Sequence, residues 1–119
     1  MKKICIIYNS KISLFNKFLL NRIVKILKKD SHVETFATER IGHATLLCRV
    51  HIKKFDIIVA AGGDGTINEV INGMDDKTLL GIIQFLISSG QPLIPIPLVL
   101  VLLRLPKIVQ LRIVNWLAE

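Results

Sequence analysis

Three observations predict an α/β fold in which a parallel sheet is covered by helices on both faces. Four strand-like runs recur along the chain, at Ile4–Tyr8, His32–Thr38, Asp56–Ala61 and Leu79–Ile83. Helical periodicity fills the gaps between them. A glycine cluster, Gly62-Gly63-Asp64-Gly65, directly follows the third run. Strand–helix alternation makes successive strands parallel, because a helix must carry the chain back across the sheet. Ligands of such sheets sit at the carboxyl ends of the strands, where these glycines fall.

Each element has its own signal. Ile4-Cys5-Ile6-Ile7-Tyr8 is continuously apolar, the pattern of a strand buried on both faces, and Asn9-Ser10 turns the chain. Phe15, Leu19, Ile23 and Leu27 recur at four-residue steps, with Leu20 and Val24 beside them. Lys17, Arg22, Lys25, Lys28 and Lys29 lie opposite, which predicts an amphipathic helix. His32–Thr38 reads as the second strand and Gly42–Val50 as the second helix. Asp56–Ala61 is the clearest strand, Thr66–Met74 reads as a helix, and Leu79–Ile83 as the fourth strand. From Thr78 to Leu103 there is no charge, but Gly90, Pro92, Pro95 and Pro97 interrupt the run. Its length makes it a formal transmembrane candidate, and the prolines argue against a regular helix. Leu98–Leu103 fits either a buried strand or part of a helix. Pro106–Ala118 fits a short amphipathic helix.

Composition narrows the function classes. A chain of 119 residues holds one domain at most, and 51% hydrophobic against 21% charged residues excludes general disorder. Cys5 and Cys48 match neither zinc-ligand spacing nor a disulfide framework, so both read as small buried thiols in a reducing compartment. The apolar run after Met1-Lys2-Lys3 is too short for a signal peptide and no cleavage site follows, so a cytoplasmic protein is expected. The net charge of +7 is concentrated at Lys2–Lys3, Lys11–Lys29 and Lys53–Lys54. A solvated helix face accounts for much of it. The sharper readings are attraction to a nucleotide or to an anionic membrane surface. Nucleic acid is not expected, because no aromatics are interleaved with the basic residues.

The chemistry lies in Gly62-Gly63-Asp64-Gly65-Thr66. Glycines at 62, 63 and 65 permit positive φ and leave no β-carbon between backbone and ligand. Amide N–H groups can converge on phosphate oxygens, helped by the helix starting near Thr66, which can itself cap that helix or bond a phosphate. Asp64 would repel a bare phosphate, so its presence implies a mediating cation, Mg²⁺ held by the nucleotide. The bland alternative is a glycine turn with Asp64 as a helix cap, and the four-residue string alone is weak.

The continuation changes that balance. Gly62–Gly73 resembles the loop of diacylglycerol and sphingosine kinase-type lipid kinases, whose pattern is GGDGT, one residue, NEV, one residue, NG. Thr38-Glu39-Arg40-Ile41-Gly42-His43-Ala44 resembles that family's second-strand exit. Tyr8-Asn9-Ser10 sits where the family has an Asn-Pro loop leading to Ser-Gly. The resemblance covers residues 3–83 and implies the NAD kinase/diacylglycerol kinase-like N-terminal fold, with ATP as phosphoryl donor, Mg²⁺ and a lipid acceptor. It implies that Asn9 and Ser10 border the nucleotide and that Thr38 contacts it. Gly62, Gly63, Asp64, Gly65, Thr66, Ile67 and Asn68 would form the phosphate loop, with Asp64 as the catalytic, metal-linked residue. Glu69 would stand early in the following helix, in a salt bridge or simply solvated. His43 would start a helix, and His32 and His51 would be surface or packing residues. Peripheral contact with the inner face of the membrane follows from the lipid acceptor.

Three departures accompany the resemblance. Ser10 replaces the proline of the Asn-Pro pair. After Leu80-Gly81-Ile82-Ile83 the family has Pro-x-Gly-Thr-x-Asn, whereas this chain has Gln84-Phe85-Leu86-Ile87-Ser88-Ser89-Gly90. No counterpart is expected within these 119 residues for the β-rich acceptor domain of these kinases, with its acidic metal-binding and proton-accepting groups. Residues 1–83 are therefore expected to be a partial nucleotide-binding domain, and 84–119 a non-matching apolar tail from a reading-frame shift near codon 84. The divergent alternative is an intact small domain. The expected function is ATP-dependent lipid phosphorylation, with this chain as the nucleotide-binding portion. An NAD kinase-like enzyme and a non-catalytic nucleotide-binding remnant stay open.

Overall fold

The computed structural model describes residues 1–85 together with the backbone of residues 98–101. The expected helix at Pro106–Ala118 and most of the apolar tail lie outside these residues. The order is β1 (Lys2–Asn9), α1 (Leu14–Leu27), β2 (Ser31–Thr38), α2 (His43–His51), β3 (Ile57–Gly62), α3 (Asp64–Gly73), β4 (Leu79–Phe85) and β5 (Leu98–Val101). The sheet runs β2-β1-β3-β4-β5. The first four strands are parallel, and β5 joins β4 antiparallel. Within Leu98–Leu103, for which a buried strand and part of a helix were both open, Leu98–Val101 forms a strand, and the remaining two residues lie outside the described ones. No helix among the described residues is long and apolar enough to cross a membrane.

Burial explains why the central strands carry uninterrupted apolar runs. Ile4 and Ile6 of β1 and Ile57 and Val59 of β3 face a core completed by Leu20, Ile23 and Leu27 of α1. The intervening residues Cys5, Ile7, Ile58 and Ala60 face the opposite core, built with Ala44 and Cys48 of α2 and Ile67 and Val70 of α3. The strand period of two thus feeds both layers. Ser13 caps α1, its Oγ accepting the N–H of Asn16 at 3.1 Å. Phe15 departs from the expected buried stripe at 44% exposure, because the first turn of α1 overhangs the packed part of the helix, which begins at Leu19. Asp75 accepts the N–H groups of Thr78 at 2.7 Å and Lys77 at 3.0 Å, and these bonds, the Thr78 amide foremost, hold its carboxyl below the usual range.

Both cysteines are free and buried. Burial first, then proximity to Cys48 and Glu34, pushes the Cys5 thiol up to about 12. Burial, then Asp75, pushes Cys48 up to about 11. The unfolded chain therefore gives up these protons first, from about pH 9, and stability present below that pH is lost as pH rises toward the folded values. Each thiol removes at most about 1.4 kcal/mol per pH unit in that window. Denaturant titrations should show a downward slope between pH 9 and 10 that Cys5→Ala reduces. Equal slopes in wild type and variant would reject this source.

Candidate functional site

Strand order decides where a ligand can sit. The chain leaves β1 toward β2 on one side and returns to β3 on the other. The helices after β1 and β3 pack on opposite faces of the sheet, which opens a crevice at the carboxyl ends of these two neighbouring strands. Into it open the loops after Asn9, Thr38 and Gly62. Two backbone bonds stiffen this rim: Ser10 N–H donates to Thr38 O at 3.1 Å, and Ile12 N–H to Asn9 O at 3.2 Å. Asn9 Oδ1 also accepts the Lys11 N–H at 2.9 Å.

The glycine loop differs in detail from the sequence reading. Only Gly62 uses a positive φ, +157°, in a region essentially restricted to glycine. A β-carbon there would lie 3.1 Å from both Cβ and Oγ1 of Thr66. Gly63 has an ordinary extended φ of −89° and serves as the N-cap of α3. At Gly63 and Gly65 a β-carbon would meet nothing within 4 Å, so their backbone faces open space. The helix begins at Asp64, two residues before the expected start, and Thr66 is buried against Gly62 as a helical residue. It therefore does not cap the helix. The first-turn amides of Asp64, Gly65 and Thr66 have no partner within the helix and give the loop a positive end.

A cavity of about 270 Å³ lies beside this loop, and Asn9, Thr38, Gly65 and Thr66 line it. Of the other expected site residues, Ser10 and Asn68 are exposed outside its lining, and Ile67 turns its side chain into the core. Gly62 is buried beneath the loop, and Asp64 is exposed with Oδ1 accepting from Gln84 Nε2 at 2.7 Å. The cavity also takes in Lys11, a member of the basic cluster for which nucleotide attraction is one reading, and Arg40, a cation with no individually expected role. Their signal was present in the basic cluster and in the Thr-Glu-Arg exit of β2. A larger cavity of about 550 Å³ lies at the amino ends of β1 and β2. It holds His51 stacked on Phe36 at 4.0 Å between ring centroids, with no glycine loop or helix N-terminus of the kind that binds phosphate. Burial, then Lys54, holds His51 below its usual 6.5.

Glu69 was the residue whose role was least legible. Its Oε1 accepts the N–H groups of Gly42 at 2.9 Å and Ala44 at 3.3 Å, and its backbone O accepts from Thr45 Oγ1 at 2.7 Å. Gly42, at φ +85°, has no side chain with which to cap α2, so Glu69 of α3 caps it from outside. His43 supports the same turn, its Nδ1 accepting the Glu39 N–H at 2.9 Å. These contacts fix the cavity wall formed by Glu39, Arg40 and Ile41. Glu69→Ala should cost about 1–3 kcal/mol, and Glu69→Gln, which keeps one acceptor, clearly less. Equal losses for the two variants by chemical denaturation would contradict the cap.

Among the described residues no group of three His, Cys, Asp or Glu side chains could hold a metal ion. The open backbone, the helix end and the two cations suit an anion such as a phosphate, and Asp64, outside the cavity's lining, offers one further carboxylate oxygen beside the loop.

Comparison with known proteins adds a family and a fold. Residues 3–91 match the diacylglycerol kinase catalytic domain family. Diacylglycerol kinases of Staphylococcus aureus strains JH9 and Newman are each 43% identical over 79 residues, covering 64% of this chain and 25% of the relative. The crystal structure of a diacylglycerol kinase from Bacillus anthracis str. Sterne superposes with a TM-score of 0.57 at 32% identity, covering 70% of this chain and 31% of that one. The chain thus spans about a quarter to a third of the length of these relatives.

Proposed function

Because the chain belongs to the diacylglycerol kinase catalytic domain family, we propose that it forms the nucleotide-binding part of an ATP-dependent kinase acting on a lipid hydroxyl such as that of diacylglycerol. The observation carrying this reading is the open backbone of Gly63 and Gly65 at the amino end of α3. First-turn amides of α3 would receive the phosphates, with Lys11 and Arg40 neutralising charge and Asn9 and Thr38 bordering the nucleotide. Magnesium, when bound, neutralises charge between the phosphates, and Asp64 would hold it through water. Holding the reacting phosphate in place is the larger part of such catalysis.

A narrower reading is favoured for the chain alone, binding without turnover. Glu69 is engaged in capping α2 and Asp64 is bonded to Gln84, so neither is assigned as the base for a lipid hydroxyl. Ile41, 96% exposed, lines the same cavity as the basic Lys11 and Arg40, and Leu14, 91% exposed, opens α1 three residues after Lys11, chemistry suited to peripheral contact with an anionic membrane. Calorimetry of the full chain with Mg-ATP is expected to show binding. Transfer assays with diacylglycerol vesicles and with NAD are expected to show no product from the chain alone. Absence of binding would overturn the proposal, and phosphorylated NAD would replace it with the NAD kinase-like alternative.

A further inference from the structure

We infer that Gln84 is a positioning residue for Asp64, fixing an exposed carboxylate in the first turn of α3 beside the glycine loop, where it would meet a cation carried by the phosphates; the inference rests on the nucleotide-binding reading. Gln84 is paired with Gly62 in the β3–β4 register, so it lies beside the glycine loop at the carboxyl end of the sheet. From there its Nε2 reaches Oδ1 of Asp64 at 2.7 Å, across 20 residues of sequence. Gln84 is also where the sequence leaves the Pro-x-Gly-Thr-x-Asn pattern, and a proline side chain offers no such donor.

The chemistry of the pair is directional. An ionised carboxylate only accepts hydrogen bonds, so the amide nitrogen must face Asp64 and the amide oxygen must face away. The exposed Asp64 side chain would otherwise sample several rotamers, and a charge-assisted bond of this length holds one of them. Asp64 is not held by capping its own helix, since Gly63 is the N-cap and no side chain bonds there. With Oδ1 committed, Oδ2 remains for a hydrated cation on the phosphates. Gln84 thereby couples β4 to the cation-facing side of the loop.

Two substitutions at this position should act in opposite directions on cation dependence. The quantity to measure is the ratio of affinities for Mg-ATP and metal-free ATP, by calorimetry on the full chain, with circular dichroism to confirm folding. Q84L removes the donor, and the ratio should fall about three- to tenfold. Q84E places a second negative charge beside Asp64, and the ratio should rise, because the cation relieves the repulsion. A role confined to bracing β4 would shift both affinities together and leave the ratio unchanged, and ratios within about twofold of wild type in both variants would overturn the inference. A second readout needs no nucleotide. The Gln84 side-chain amide signals in ¹⁵N–¹H spectra should move in D64N, and unmoved signals would overturn the inference directly. Failure of wild type to bind Mg-ATP would instead count against the nucleotide-binding reading.

Discussion

Gly73→Ala is expected to lower stability by about 2 kcal/mol or more, a fall of roughly 10 °C in Tm for a domain of this size. Gly73 ends α3 where that helix lies closest to α2. A β-carbon there would sit 2.8 Å from Cys48 Cβ and 2.8 Å from the Thr45 backbone oxygen. The Thr45 oxygen belongs to a helical backbone and cannot rotate aside, so the helices must separate. Alanine's better helix propensity offsets at most about 1 kcal/mol of this. Separation would also draw Glu69 away from Gly42 and Ala44, loosening the wall of the cavity beside the glycine loop. Thermal unfolding measures the first effect, and an unchanged Tm would contradict the close approach of the two helices.

Gly62→Ala should have its largest effect on binding, weakening Mg-ATP by about a hundredfold while leaving the secondary structure in place. A β-carbon at φ +157° is strained by about 1–3 kcal/mol, and Thr66 blocks its space at 3.1 Å. The loop can relieve both only by rotating the peptide that aims the following amides at the ligand. Gly65→Ala makes a sharp comparison. Nothing lies within 4 Å of its added carbon and its φ is not positive, so stability should hold or rise slightly. Its methyl group would nonetheless occupy the open side on which the proposal places the phosphate, and binding should then weaken. Calorimetry and unfolding on both variants separate strain from steric exclusion. Wild-type affinity in Gly65→Ala would place the ligand elsewhere.

The parts of the fold that depend on local pattern were readable. β1 and β3 are central strands, so their runs stay apolar through Ile7 and Ala61 whatever surrounds them. The glycine loop was located for the same reason, an abrupt change from β-branched residues to glycine. The start of α3 was misplaced because threonine is a favoured cap and glycine a poor helix former. Here Gly63 occupies the cap position, and the charge of Asp64 favours the first turn. Phe15 followed the helical period but lies ahead of the packed turns. Glu69 and Gln84 were illegible for a deeper reason. Their partners lie 27 and 20 residues away, and nothing in local spacing encodes a contact made only after the layers assemble.

The central claim is that nucleotide phosphate binds on the open backbone at the amino end of α3. Its most direct test is the ¹⁵N–¹H spectrum of the full chain during addition of Mg-ATP. The amides of Gly63, Asp64, Gly65 and Thr66 should shift most, accompanied by those of Lys11 and Thr38 around the same cavity. Shifts centred instead on Lys3, His51 and Lys53 at the amino-end cavity, or no shifts at all, would contradict the account.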